Sequence, residues 1–291
     1  MKIKGVMPAL VTPLCADESI CLETLEKLMH DLCAEGAEGF YVGGATGEGL
    51  ALREAERKTL AEAAVRFAAR DGKECIVQVA SMDHSEALRL AAHAEEVGAA
   101  AISSTAPLFF AYDEDDVYAY YKSLASRVHI PVMVYYSPAA AFRMSAAFAK
   151  RLFSIDNVTS IKWTSTDFYQ LTVLKQITNG EMAIINGFDE MLLSGLAAGA
   201  DGGIGTTYNF ELPYVKKVYE AFMCGDMETA KSYQQKVVSV VEAFQGAPVI
   251  PATKAILERK GYAVGNAAFP MKRYTDAQKD ELFDRIKPLL P

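Results

Sequence analysis

The sequence predicts an α/β fold, a (β/α)8 TIM barrel with a C-terminal helical extension. Three observations lead there. Eight apolar, β-branched runs of strand length occupy residues 1–210, helical patterns separate them, and further helical stretches fill residues 211–291. Strict strand–helix alternation implies right-handed βαβ units and a parallel sheet. A doubly wound open sheet is the alternative, weakened because no GxGxxG turn follows the first strand. The expected division is a barrel core over 1–210 and, over 211–291, the last barrel helix plus the extension, as one structural unit. No linker or short-period repeat splits the chain.

The runs follow in order. "GVMPALVTPL" opens the barrel; Pro8 and Pro13 interrupt it, and it is too short to span a bilayer. "GFYVGGAT", "ECIVQVA", "AAAISSTAP", "PVMVYYSP", "VTSIKWT", "AIINGF" and "DGGIGTT" supply the other seven. Between them lie helical stretches such as "LETLEKLMHDLCAEG" and "SEALRLAAHAEEVG", which end on Gly36 and Gly98 as helix C-termini often do. "LPYVKKVYEAFMCG", "METAKSYQQKVVSVVEAFQG", "IPATKAILERKG" and "TDAQKDELFDRIKPLL" make the tail.

Composition narrows the function classes. The 291 residues are 51% hydrophobic and 23% charged, with a net charge of −8. Nothing basic suggests nucleic acid or an anionic membrane as partner. The five cysteines, Cys15, Cys21, Cys33, Cys75 and Cys224, are scattered and contain no CxxC pair. Free thiols in a reducing compartment are expected, without structural zinc, and the expected location is cytoplasmic. His30, His84, His93 and His129 show no ligand spacing, so surface or satisfied histidines are expected rather than metal ligands.

In a barrel of this type, chemistry sits at the C-terminal strand ends. Val158, Ser160, Lys162 and Thr164 share one face of the sixth strand; Thr159, Ile161 and Trp163 share the other. Bulky Ile161 and Trp163 suit the layer beneath the helices, which turns Lys162 inward. A desolvated amine loses part of its preference for the charged form and becomes a nucleophile toward ketones. The alternative is a lysine in an ordinary turn. The second strand ends in "GGATGEG", where backbone N–H groups and the Thr46 hydroxyl can meet an anion, unless Thr46 only caps the helix. Parity makes Tyr135 the inward phenol of "VYYSP", a proton carrier or a packing residue. Asp189 and Glu190 either answer a helix dipole or accept from substrate hydroxyls.

Together, "GGATGE", "VYYSP", "IKWTS", "NGFDE" and "GADGGIGTTYN" resemble the pyruvate-dependent class I aldolase superfamily, which includes N-acetylneuraminate lyase and dihydrodipicolinate synthase. "NGFDE", "DGGIGTTYN" and "IKWTSTDFYQ" resemble the sialate lyase branch. The dihydrodipicolinate branch usually carries an arginine where Ala140 stands, and Arg143 is not assigned that role. The resemblance implies that Lys162 forms a Schiff base with the 2-keto group of N-acetylneuraminate. A retro-aldol step then yields N-acetylmannosamine and pyruvate. It further implies that Ala45 and Thr46 mark the carboxylate turn, that Tyr135 carries the C4 hydroxyl proton, and that Thr164, Gly187, Asp189, Glu190 and Thr206 bind the sugar. It implies a homotetramer acting on a small molecule without a cofactor.

Two departures stand out. Ala45 replaces a usual hydroxyl residue, and Phe109 and Phe110 stand where a neighbouring subunit usually contributes a tyrosine. Tyr112 and Tyr136 are the nearest candidates to compensate. Two other readings therefore stay open: an aldolase for another 2-keto sugar acid or a dihydrodipicolinate-synthase-like enzyme, and a non-catalytic binding protein for a sugar or keto acid.

Overall fold

The computed structural model describes residues 3–107, 109–137 and 142–291; the readings made at Leu108, Pro138 and Ala140 fall outside them. Eight strands alternate with helices: β1 (Gly5–Pro8), β2 (Gly39–Val42), β3 (Glu74–Gln78), β4 (Ala101–Thr105), β5 (Val132–Tyr136), β6 (Val158–Trp163), β7 (Ala183–Asn186) and β8 (Gly202–Gly205). All pair in parallel, in the order β1-β8-β7-β6-β5-β4-β3-β2. The seam between β1 and β2 is closed by Leu10 N donating to Tyr41 O (2.9 Å) and Glu38 N donating to Val6 O (3.1 Å). The result is the expected barrel.

The helices are α1 (Leu22–Ala34), α2 (Glu54–Arg70), α3 (His84–Glu96), α4 (Glu114–Arg127), α5 (Ala146–Leu152), α6 (Phe168–Ile177), α7 (Leu192–Ala197) and α8 (Tyr208–Met223), with α9 (Met227–Glu242), α10 (Val249–Arg259) and α11 (Asp276–Ile286) forming the tail. Many start on side-chain caps: Asp83, Asp113, Ser145, Asp167, Asp226 and Thr275 each accept from a backbone N–H of the first turn. Gly36 and Gly98 follow α1 and α3 at φ +100° and +87°, the left-handed exit that glycine adopts without strain. No described helix is long and apolar enough to cross a membrane.

Strand pleating sorts the side chains into two layers. Met7, Tyr41, Ile76, Met133, Ile185 and Ile204 belong to the interior plug. Phe40, Val42, Val134, Ile161, Trp163 and Ile184 face the helices in the main core. Tyr136 stacks on Trp163 in this outer layer, with ring centroids 4.5 Å apart and an interplanar angle of 12°. It therefore turns away from the barrel axis. Register places Tyr135 beside Lys162, and Lys162 beside Ile185, in one interior layer.

The cysteine expectation fails at one pair. Cys15 and Cys21 form a disulfide with Cα atoms 5.2 Å apart, while Cys33, Cys75 and Cys224 are free. The hairpin between Leu14 and Ile20 folds the chain back, so the two sulfurs meet across a six-residue separation. Scattered spacing did not reveal that turn.

Candidate active site

Lys162 stands at the floor of a cavity of about 330 Å³ at the C-terminal strand ends. It is 6% exposed. Its Nζ lies over two tyrosine rings, 4.5 Å from the Tyr135 centroid and 4.6 Å from that of Tyr41. The rings meet edge to face at 83°, with centroids 6.4 Å apart. Tyr41 is buried and donates to Ser103 Oγ (3.1 Å), which donates onward to Met133 O (3.2 Å). Burial above all, then the neighbouring Tyr135, holds the Tyr41 phenol above its ordinary pKa, against the lowering effect of Ser103. It is a neutral phenol in this site.

One wall is the turn after β2. Ala45 and Thr46 both line the cavity, and Thr46 Oγ1 lies 2.7 Å from Thr206 Oγ1, which arrives from the end of β8. Thr12 pins the turn by donating to Gly47 O (2.6 Å). Glu48 follows in a left-handed conformation, φ 58°, and drives its carboxylate into the interior. There it pairs with Lys254 of α10 at 2.5 Å and accepts from Ala268 N. Burial pulls the Lys254 ammonium below its ordinary pKa and Glu48 opposes that pull. A fully buried ion pair thus ties this turn to the helical tail. In the sequence Glu48 is one residue of the "GGATGEG" turn, and nothing there signals its pairing with Lys254.

The opposite wall is built by β6, β7 and the loop beyond. Thr164 follows Lys162 on the same face, and its Oγ1 is buried without a protein partner among the described residues. Gly187 must be a glycine, because a Cβ there would collide with the Thr164 hydroxyl. Asp189 is 7% exposed, and its Oδ2 accepts from both Thr207 N and Thr207 Oγ1 at 2.7 Å. Burial raises its carboxyl to about 6; the two Thr207 bonds and, more weakly, Lys162 act against that, while Glu190 adds to it. Asp189 therefore serves the start of α8 as well as the cavity wall. Glu190 also lines the cavity and is partly exposed. Gln234 of α9 donates to Asp189 O (3.2 Å) and accepts from Leu193 N (2.8 Å), fastening this loop from behind.

The outer rim is apolar. Val241 and Phe244 come from the end of α9 and Val249 and Ile250 from the start of α10. None of these was singled out in the sequence, because they belong to a tail read only as helix. Tyr41 was also missed, although its parity with Gly39 and its place just before "GGATGE" marked it as inward. Within the one chain, Tyr136 stacks on Trp163 and Tyr112 packs on Phe110 with centroids 6.3 Å apart, and neither lines the cavity. Arg143 is exposed and does not line it. Phe109 and Phe110 are 76% and 62% exposed.

A buried lysine flanked by aromatic faces, beneath a hydroxyl-lined turn and a pair of carboxylates, sits at the mouth of this barrel. The same arrangement of fold and sequence defines a family: the profile of the dihydrodipicolinate synthetase family matches residues 2–289, and the chain belongs to that family. More particularly, it is similar to the N-acetylneuraminate lyase of Rhizobium meliloti (strain 1021), at 32% identity over 290 residues, covering 100% of this chain and 96% of the relative. It is 30% identical to the N-acetylneuraminate lyase of Clostridium perfringens (strain SM101 / Type A) over 289 residues, covering 99% and 98%. The solved N-acetylneuraminate lyase of Proteus mirabilis superposes with a TM-score of 0.93 at 28% identity, covering 99% of each chain.

Proposed function

We propose that this chain is a Schiff-base-forming lyase that cleaves N-acetylneuraminate to N-acetylmannosamine and pyruvate. The observation that carries the proposal is Lys162, buried at the cavity floor with its amine facing open space between two aromatic rings. The free amine adds to the 2-keto carbon of the open-chain substrate, and loss of water with uptake of one proton leaves a protonated imine. Tyr135 relays the C4 hydroxyl proton, taking it up as its own phenol proton moves on toward C3, while the C3–C4 bond breaks and the bonding electrons flow into the imine to form an enamine. Protonation at C3 and hydrolysis release pyruvate and restore Lys162. Thr46, with the backbone of its turn, receives the carboxylate. Thr164 brings an unpartnered hydroxyl to the sugar chain, and Thr206, Gly187, Asp189 and Glu190 complete that wall.

A second reading is an aldolase for another 2-keto sugar acid. Ala45 removes one hydroxyl, Asp189 spends an oxygen on Thr207, and the rim is apolar, all of which alter the fit for a polyhydroxylated tail. A panel of 2-keto sugar acids assayed for pyruvate release separates the two. Fastest release from N-acetylneuraminate supports the first; preference for a shorter or differently substituted acid supports the second.

The expected assembly is a homotetramer. Leu50, Met82, Phe109 and Phe110 lie exposed on the loops after β2, β3 and β4, and a lone barrel would leave them in water. Sedimentation should show a species well above the 31.7 kDa chain; a fully active monomer contradicts this. The expected location is the cytoplasm, and cell fractionation tests it.

A further inference from the structure

The Schiff-base reading leaves one feature of the cavity floor without a role. A cationic nitrogen in a buried site usually has a carboxylate beside it. Among the described residues Lys162 forms no salt bridge, and Asp189 feels its charge only as the least of the influences on that carboxyl. Its neighbours are ring faces: Tyr135 on β5 and Tyr41 on β2, each within the range of about 6 Å at which an aromatic quadrupole attracts a cation. Their edge-to-face packing places the nitrogen in the corner between them.

We propose that Tyr41 is a further catalytic residue, whose ring face, with that of Tyr135, keeps the imine nitrogen of Lys162 protonated through the turnover. The proposal rests on the Schiff-base reading above. Only the protonated imine is a strong electron sink; a neutral imine accepts the C3–C4 electrons poorly. The ring forms and breaks no bond. It acts on the positive charge that stays on nitrogen from dehydration until the enamine forms. The Tyr41 hydroxyl has a different task, since its donation to Ser103 and the onward bond to Met133 O fix the ring plane. The titratable groups facing the nitrogen are Tyr41 from β2, Tyr135 from β5, and Asp189 and Glu190 from the loop after β7. Burial raises the Asp189 carboxyl to about 6, so an effect of the ring is read on the alkaline limb, away from that group.

The test replaces Tyr41 in the full chain with phenylalanine, then with 4-fluoro- and 3,4,5-trifluorophenylalanine. The series keeps the ring's shape and removes its negative face stepwise. Tyr41→Phe keeps the ring but loses the bond that fixes its plane, so kcat should fall modestly, and its alkaline limb is the reference for the fluorinated rings. Fluorination should then move the alkaline limb of kcat to lower pH, by about one unit for the trifluoro ring, with unchanged melting temperature. If Tyr41→Phe is unstable, 3,5-difluorotyrosine at the same position keeps the hydroxyl and should move the limb in the same direction. A large loss already at Tyr41→Phe, in a folded protein, overturns the proposal and assigns the work to the hydroxyl. An alkaline limb that ignores fluorination also overturns it. Each variant is treated in parallel with pyruvate and borohydride. An adduct on Lys162 in every variant, with no movement of the limb, refutes the role of Tyr41 alone. No adduct in the unaltered protein refutes the Schiff-base reading and the proposal together.

Discussion

The floor and the mouth of the cavity are built differently. At the floor, Lys162, Tyr135 and Tyr41 are held by strand register and barrel packing, each on a residue of a continuous β-ladder. At the mouth, the groups sit on turns and on the tail: Ala45 in a glycine-rich turn, Asp189 committed to Thr207, Val249 and Ile250 at the start of α10. On the proposed function, the floor carries the chemistry that all 2-keto acid substrates share and the mouth carries what distinguishes one sugar acid from another. Ala45 departs from the superfamily pattern at the mouth, Phe109 and Phe110 lie outside the cavity lining, and the floor keeps the pattern, so imine formation and substrate choice should respond separately to mutation.

The largest separation is expected at the floor. Lys162→Arg keeps a cation but cannot form an imine at neutral pH, because the guanidinium holds its proton. Pyruvate release should fall below detection for every substrate, with the fold retained by circular dichroism. A variant that still cleaves any 2-keto acid places the nucleophile elsewhere.

Next in size is the tie between the two regions. Lys254→Met leaves the Glu48 carboxylate buried and unpaired, which costs about 3–5 kcal/mol of stability. Denaturant midpoints should drop accordingly, and restoring hydrophobic balance with Glu48→Gln in the same chain should recover part of the loss. Equal stability of the single variant and the unaltered protein would show that the pair does not anchor the turn.

Asp189 provides a pH test of the mouth. Its folded-state value, about 6, lies above the ordinary 3.8. The folded protein therefore binds this proton more tightly than the unfolded chain does. The associated stabilisation is complete below 3.8 and is lost as pH rises toward 6. The loss amounts to about 3 kcal/mol at most. Asp189→Asn should remove it, so the stability difference between unaltered and variant protein should change across that window and be flat above it. A constant difference from acid to neutral pH contradicts the buried, proton-holding carboxyl.

How much of this was legible in the sequence follows the same division. The barrel was legible because period-two strands and helical repeats are local patterns, and alternation fixes the parallel order. Lys162 and Tyr135 were legible because parity in a strand decides which face a side chain takes. Tyr41 obeys the same rule, but an aromatic in "GFYV" reads first as core. Lys254 was not legible: it lies more than 200 residues from Glu48, and nothing in a helical repeat reveals a buried charge. Nor was the double role of Asp189, since the Thr207 bonds depend on how β8 delivers the next helix. The rim formed by α9 and α10 is likewise a product of tertiary packing.

Smaller effects should come from the mouth. Glu190→Gln removes a charge without disturbing Thr207, so it probes the sugar tail more cleanly than a change at Asp189. It should lower kcat/KM for N-acetylneuraminate by about tenfold to a hundredfold and leave a short 2-keto acid nearly unaffected. Equal losses on both would assign Glu190 to the rim's structure. Smallest of all, Ala45→Ser places a hydroxyl at an exposed cavity position and should raise kcat a few-fold, about the worth of one hydrogen bond. No change would mean that Thr46 and the turn's backbone already suffice.

The central claim, that Lys162 is the imine-forming group, is tested most directly by trapping. The protein is mixed with pyruvate, reduced with borohydride, digested and mapped by mass spectrometry. The expected result is one irreversible pyruvate-derived adduct per chain, on the peptide that contains Lys162 and within it on that lysine. An adduct on another lysine, or none at saturating pyruvate, contradicts the account.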